Sequence, residues 1–117
     1  MDFVYLINLF YIFLYKMNKK PHSVKISKSV IKNKKMTAIF YNKEGKKIKT
    51  IHFGYSPMSD YTIHKDDERK QRYLNRHKVR ENWNDPMTAG ALSRWILWHK
   101  KSLNTSIKDY KKKFALK

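Results

Sequence analysis

From Val24 to Phe53 the chain alternates apolar and polar residues in twos, and from Ile63 onward it does not. That change of period limits the fold more than any other feature. Side chains repeat every two residues along a strand and every 3.6 along a helix, so one pattern cannot serve as the other. Val24, Ile26 and Val30 alternate with Lys and Ser. Met36, Ala38 and Phe40 share one face of a second run, with Thr37, Ile39 and Tyr41 on the other. "NKEG" follows, with Gly45 placed for the left-handed position of a short hairpin loop. In the third run, Lys46 to Phe53, Ile51 and Phe53 alternate with Thr50 and His52. The pattern predicts a three-stranded antiparallel meander. Its exposed face is expected to carry Lys47 and Lys49, and lysines there also guard an edge against aggregation.

"FGYSPMSD", Phe53 to Asp60, reads as a loop. Beyond it the spacing predicts three helices. The first runs from about Ile63 to Lys78. Asp66, Asp67 and Glu68 lie early in it and the Arg/Lys residues late, as the helix dipole prefers. Asp66–Lys70 and Glu68–Arg72 are i,i+4 pairs of favourable orientation. The second helix is announced by "NDPMT", with Asp85 as N-cap, Pro86 at the first helical position and Thr88 as the competing cap. Leu92, Trp95, Ile96 and His99 form its stripe, flanked by Trp98. Gly90 costs about 1 kcal/mol relative to Ala in a helix interior, so a close helix–helix or helix–strand approach is expected there. The third helix carries Leu103, Ile107, Tyr110 and Phe114 on one stripe, with Asn104 as the expected cap. The fold class is therefore α+β: a three-stranded antiparallel sheet followed by three helices on one face.

Residues 1–16 stand apart as an apolar N-terminal extension, and residues 17–117 read as a single basic domain. From Phe3 to Tyr15 there is no charged residue. A membrane-spanning helix needs about 20 apolar residues, and a signal peptide needs a basic start and a small-residue cleavage site. Three readings stay open. Met17 is a second candidate start. Residues 3–15 form a membrane-surface or partner contact beside Lys16, Lys19 and Lys20. Or the segment packs on the domain itself.

Charge selects the function classes. The 117 residues carry 27 Lys+Arg against 9 Asp+Glu, a formal net charge of +18. Lys16 to His52 alone holds twelve lysines and one acid, so the charge belongs to the folded body and is not a detachable tail. A domain so charged is drawn to polyanions. Chemistry finds less support. The absence of cysteine excludes disulfides, thiolate zinc sites and thiol nucleophiles. The five histidines form no HxxH or HExxH spacing, the three glycines are isolated, and no serine elbow appears. "HKDDER" reads as dipole complements and surface pairs. The expectation is a protein that is not an enzyme and takes no metal or cofactor.

The basic and aromatic residues give the strongest functional signal. Arg69, Arg72, Arg76 and Arg80 are spaced 3, 4 and 4 apart, which puts them on one side of a helix. Arginine bonds phosphate in a bidentate way that lysine does not. Lys78, Arg94, Lys47 and Lys49 complete the candidate nucleic-acid-binding set. Tyr61, Tyr73 and Trp83 are candidates to stack on bases, with core packing the competing role for Tyr73 and Trp83. Core packing is the expectation for Trp95 and Trp98.

The ordered motifs "IHFG", "SDYTIHKDDERKQRY", "RHKVRENW", "P-x-TAGALSRWILW" and "SIKDYKKKF" resemble a family of small uncharacterised basic proteins encoded by large double-stranded DNA viruses of algae and protists. The resemblance covers about Met36 to Phe114. It implies a viral context: the infected cell, cytoplasm or nucleus, or the virion. There a small basic protein condenses or coats the genome, or cements a shell. The expected function is sequence-tolerant binding of nucleic acid, DNA ahead of RNA, through its phosphates. The alternative is a minor structural protein of the virion acting by protein–protein contacts.

Overall fold

The computed structural model describes residues 2–117. The sheet is the predicted meander, with strands β1 (Ser23–Lys28), β2 (Lys34–Tyr41) and β3 (Lys47–Tyr55) in the order β1-β2-β3, antiparallel throughout. Its register explains the alternation. Val24 lies opposite Phe40, Ile26 opposite Ala38, Ala38 opposite Ile51 and Met36 opposite Phe53, so one face collects the apolar set. Gly45 turns the β2–β3 loop at φ +82°, and Asn42 ties that loop by accepting from the N–H groups of Glu44 and Lys46. Val30 does not extend β1. The strand ends at Lys28, Val30 is 95% exposed, and Asn33 makes the β1–β2 turn at φ +67°.

The pairing of Lys47 and Lys49 on one face is also corrected. A bulge sets Phe40 opposite Lys49 but Tyr41 opposite Lys47, which leaves Ile48 as the extra residue, packed against the core. The bulge breaks the i, i+2 relation between the lysines. Lys49 reaches the helical layer, where its ammonium donates to the Met87 carbonyl at 3.0 Å.

The helices depart from prediction mainly at their ends. Segment α1 (Phe3–Lys19) is capped by Asp2 and has no buried residue. No helix among the described residues is long and apolar enough to cross a membrane. The expected first helix of the body is two. Asp60 caps a single turn, α2 (Tyr61–His64), and Lys65 stops it in the left-handed region at φ +56°. Asp66 then caps α3 (Asp67–His77), accepting from Glu68 N–H and Arg69 N–H. "KDD" is thus a stop followed by a start. Thr88, not Asp85, caps α4 (Ala89–Leu92), and Asp85 instead accepts from Met87 N–H within the preceding turn. Helix α4 continues as a π-helical stretch, Ser93–Leu97, closed by the bond from Trp98 N–H to the Ser93 carbonyl. Ser102 rather than Asn104 caps α5 (Leu103–Lys113), because its hydroxyl reaches Thr105 N–H.

The core lies between the sheet's apolar face and the helices. Ala38, Phe40, Phe53, Leu92, Ile96 and Tyr110 are essentially inaccessible. Leu103, Ile107 and Phe114 pack against this core, as their stripe predicts. The C-terminus closes the β1 edge. Val24 N–H donates to the Lys117 carbonyl and Lys117 N–H to the His22 carbonyl, while Leu116 is buried. Covering an edge in this way removes a template for strand addition.

Leu92 sits at the centre of this packing and Val30 outside it. Leu92→Ala is expected to lower the unfolding free energy by about 2–5 kcal/mol, and Val30→Ala by less than about 0.5 kcal/mol. Urea unfolding followed by tryptophan fluorescence checks both values. Equal effects from the two changes would contradict this placement of the core.

Candidate nucleic-acid interface

A cleft of about 410 Å³ opens between the end of the sheet and α3. Its strand wall is made by Lys34 and Lys35 of β2 and by His52 to Tyr55 of β3, continued by the loop Met58–Asp60. Its helical wall is Arg69, Arg72, Tyr73, Arg76 and His77 of α3. Ala89, Gly90, Ser93, Leu97 and Trp98 close it from the α4 side, with Glu81 beside them.

A buried ion pair anchors the strand wall. Lys35 donates to Asp60, and the two side chains are only 12% and 3% exposed. Asp60 also accepts from Thr62 N–H as the cap of α2, so one carboxylate joins β2, the loop and the helix start. Removing either partner would strand a buried charge. Gly54 allows the wall to pass close to the helices. A Cβ there would come within 2.7 Å of a Leu97 methyl and 3.1 Å of the Lys35 Cβ, and its φ of +79° excludes most other residues.

An aromatic column forms the helical wall. Trp98 and Tyr73 stack with centroids 4.1 Å apart and planes 2° from parallel. His77 covers the other face of Tyr73, also at 4.1 Å. Burial raises the Tyr73 phenol pKa above its ordinary value, which keeps the ring neutral. Beneath the column Glu81 lies 3.2 Å from His77 Nδ1 and accepts from Trp83 Nε1–H at 3.0 Å. Gly90 leaves room for it, since a Cβ at that position would meet the Glu81 carboxyl carbon at 2.9 Å. The close approach expected at Gly90 is therefore made by a side chain, not by a second helix or a strand.

The arginine row is only partly as predicted. Arg69, Arg72 and Arg76 stand exposed on α3 and all line the cleft. Among the described residues the guanidiniums of Arg69 and Arg76 have no hydrogen-bond or ion-pair partner, and Arg72 has only a loose 3.9 Å contact with Glu68. The companion pair Asp66–Lys70 does not form, because Asp66 is the cap and Lys70 donates to the His99 carbonyl at 2.6 Å. Arg80 leaves the row. Helix α3 ends at His77, and Arg80 lies in the turn beyond, with its N–H on the His77 carbonyl. Lys78 caps that helix and is exposed outside the cleft. Arg94 is held by the protein itself. Its guanidinium lies 4.2 Å over Trp95 and donates to the Trp98 carbonyl at 3.0 Å. Lys47 and Lys49 lie on the part of β3 beyond the cleft lining.

Of the stacking candidates, Tyr73 enters the cleft wall. Tyr61 is buried and bonded to Asp67, and Trp83 is tied to Glu81 and Trp95. Trp95 and Trp98 pack against the core without being sealed in it. Lys34, Lys35, His77 and Glu81 are the cleft residues missed by sequence reasoning. Of these only Glu81 had a hint, the glycine inside a helical pattern at Gly90.

Residues 24–77 match a family described as a family of unknown function, DUF5754. This stretch is an uncharacterised domain of unknown function, and it runs from β1 to the end of α3. It thus contains the strand wall and the three arginines, while Gly90 and Trp98 lie beyond it. No curated protein and no solved structure matches the chain.

Two histidines beside this region are held in their neutral form. His64 accepts from Asp66 N–H through Nδ1, and its Nε2 is buried with no hydrogen-bond partner among the described residues. Burial, then Arg69, pushes its pKa below the ordinary value. Burial also lowers that of His99, against the opposing pull of Asp109 at 2.8 Å. A histidine depressed in the fold contributes stability above its unfolded pKa, about 6.5, and that stability is lost as pH falls through the folded value. The melting temperature is therefore expected to fall as pH drops from 7.5 to below 6. His64→Gln, which can still accept from Asp66 N–H, should flatten part of the slope. A melting temperature that rises on acidification would contradict the assignment.

Proposed function

We propose that the protein binds nucleic acid through its phosphate backbone, with little regard to sequence. One observation carries this reading: Arg69, Arg72 and Arg76 project from one helix into a cleft, two of them without a partner among the described residues. Guanidiniums serving stability would be paired with carboxylates, and the chain has 9 acids for 27 Lys and Arg. Lys34 stands across the cleft on β2, so an anion there meets positive charge from both walls. In the viral context implied by the sequence resemblance, the polyanion is the viral genome, DNA ahead of RNA, in the infected cell or in the particle. The part played by the domain is attachment, with no reaction assigned to the cleft.

A second reading, a structural protein of a particle, is favoured by one observation only. The apolar residues of α1 are exposed on every side, including Phe3, Phe10, Phe13 and Tyr15. A surface of that kind marks contact with another protein or with lipid. It predicts that removing residues 1–16 abolishes incorporation into particles while binding of oligonucleotides persists.

Binding through about six to ten phosphate contacts should weaken roughly 10³–10⁵-fold between 50 and 200 mM salt. Fluorescence anisotropy with labelled duplexes of unrelated sequence measures this directly. Changing Arg69, Arg72 and Arg76 together to Gln should lower the salt slope by about two to three units. The circular dichroism spectrum should not change. No binding at 50 mM salt would overturn the proposal.

A further inference from the structure

We infer that the cleft takes one unstacked base of a single strand, so that the protein prefers single-stranded nucleic acid over duplex. This rests on the phosphate-binding reading above and adds a recognition element to it. Two features of the geometry point there. The first is the free end of the aromatic column. Tyr73 has both faces covered, by Trp98 and by His77, and Trp98 has His64 as a tilted neighbour at 5.3 Å. The outer face of His77 remains as the place where the stack can be extended, and its side chain is 38% exposed. A base is a flat ring of the right kind to continue such a column, and histidine is among the rings on which unpaired bases stack.

The second feature is the relation of the column to the arginines. Arg76 adjoins His77 in the chain, and Arg69 and Arg72 lie on the preceding turns of the same helix. Seven residues of helix extend about 10 Å, a span over which three long arginine side chains can reach neighbouring phosphates of one strand. A strand running along α3 can place successive phosphates on the three guanidiniums while one base turns inward. The cavity of about 410 Å³ is within the range that encloses small ligands. It is a pocket with a ring at its wall, whereas a duplex keeps its bases inside its own stack and presents phosphates alone.

The orientation of His77 is fixed. Its Nδ1 lies 3.2 Å from Glu81, which Trp83 Nε1–H holds in turn. The ring is thus set in place before a base arrives, and stacking costs little further ordering. Glu81 also puts a negative charge at the inner end of the cleft, which turns phosphates out toward the arginines and leaves the inner space to a neutral base.

The test compares three labelled probes of equal length at 50 mM salt: oligo-dT, an abasic strand with the same phosphates, and a blunt duplex. The expected result is that oligo-dT binds about tenfold more tightly than the abasic strand. The duplex should bind more weakly than oligo-dT. His77→Ala should bring the dT-to-abasic ratio close to one, and His77→Phe, which keeps a ring, should retain it. Equal affinity of the wild type for dT and abasic strands, or for dT and duplex, would overturn the base site while leaving phosphate binding intact. Failure of all three probes to bind would overturn both.

Discussion

One buried ring holds α3 to the body. Tyr73 is the buried residue of that helix, and it is clasped by Trp98 below and His77 above. The rest of α3 is strongly polar, so no apolar stripe fastens it. Its other ties are Lys70 to the His99 carbonyl, 29 residues along the chain, and the local bond of Tyr61 to Asp67. Everything attributed to the cleft depends on this clasp. With it, three arginines stand at a fixed distance from the sheet. Without it they would be mobile charges on a detached helix, and there would be no cavity for them to line. An offset or stacked aromatic pair contributes about 0.5–1.5 kcal/mol beyond its buried area, a modest amount to carry a whole wall.

The two walls are built on opposite principles. The strand wall is fixed by charge: Lys35 and Asp60, both withdrawn from water, pin the loop to β2. The helical wall is fixed by stacking, Trp98 on a Tyr73 ring that burial keeps neutral. A molecule with a net charge of +18 repels itself, and uncharged contacts can join basic elements without adding to that repulsion. Arg94 and Lys113 show a related arrangement, each laid over the face of Trp95, where a ring quadrupole takes the place of a carboxylate.

The sheet was legible because each of its strands states its own face. Met36, Ala38 and Phe40 announce themselves at every second position, and Gly45 marks the turn. The helix ends were less legible, since several residues at each start were able to cap. Ser102 and Asn104 offer the same chemistry two residues apart, and only the packing of Leu103 and Ile107 decides between them. The arginine row was visible as a spacing, but that spacing assumed one unbroken helix through Arg80. The helix ends at His77, next to the Lys78 end expected from the sequence, and the turn beyond it carries Arg80 off the row and brings Glu81 beside Gly90. The pairing of Lys35 with Asp60 had no local signal, because 25 residues separate the two. Two lysines and an aspartate in a basic chain look like any other surface charges until the fold brings two of them together.

The π-helical stretch at Ser93–Leu97 gives the cleft an unusual kind of fragility. Such a turn holds one residue more than an α-helix needs, and that extra residue sets the direction in which the following tryptophan points. Point changes on this segment would leave the backbone register alone. A single-residue deletion would let the helix relax to ordinary winding and rotate Trp98 by about 100°, away from Tyr73. Drift in side-chain identity and change in chain length are therefore unequal threats: descendants of this sequence can vary many of their letters here, but they are held to a fixed count.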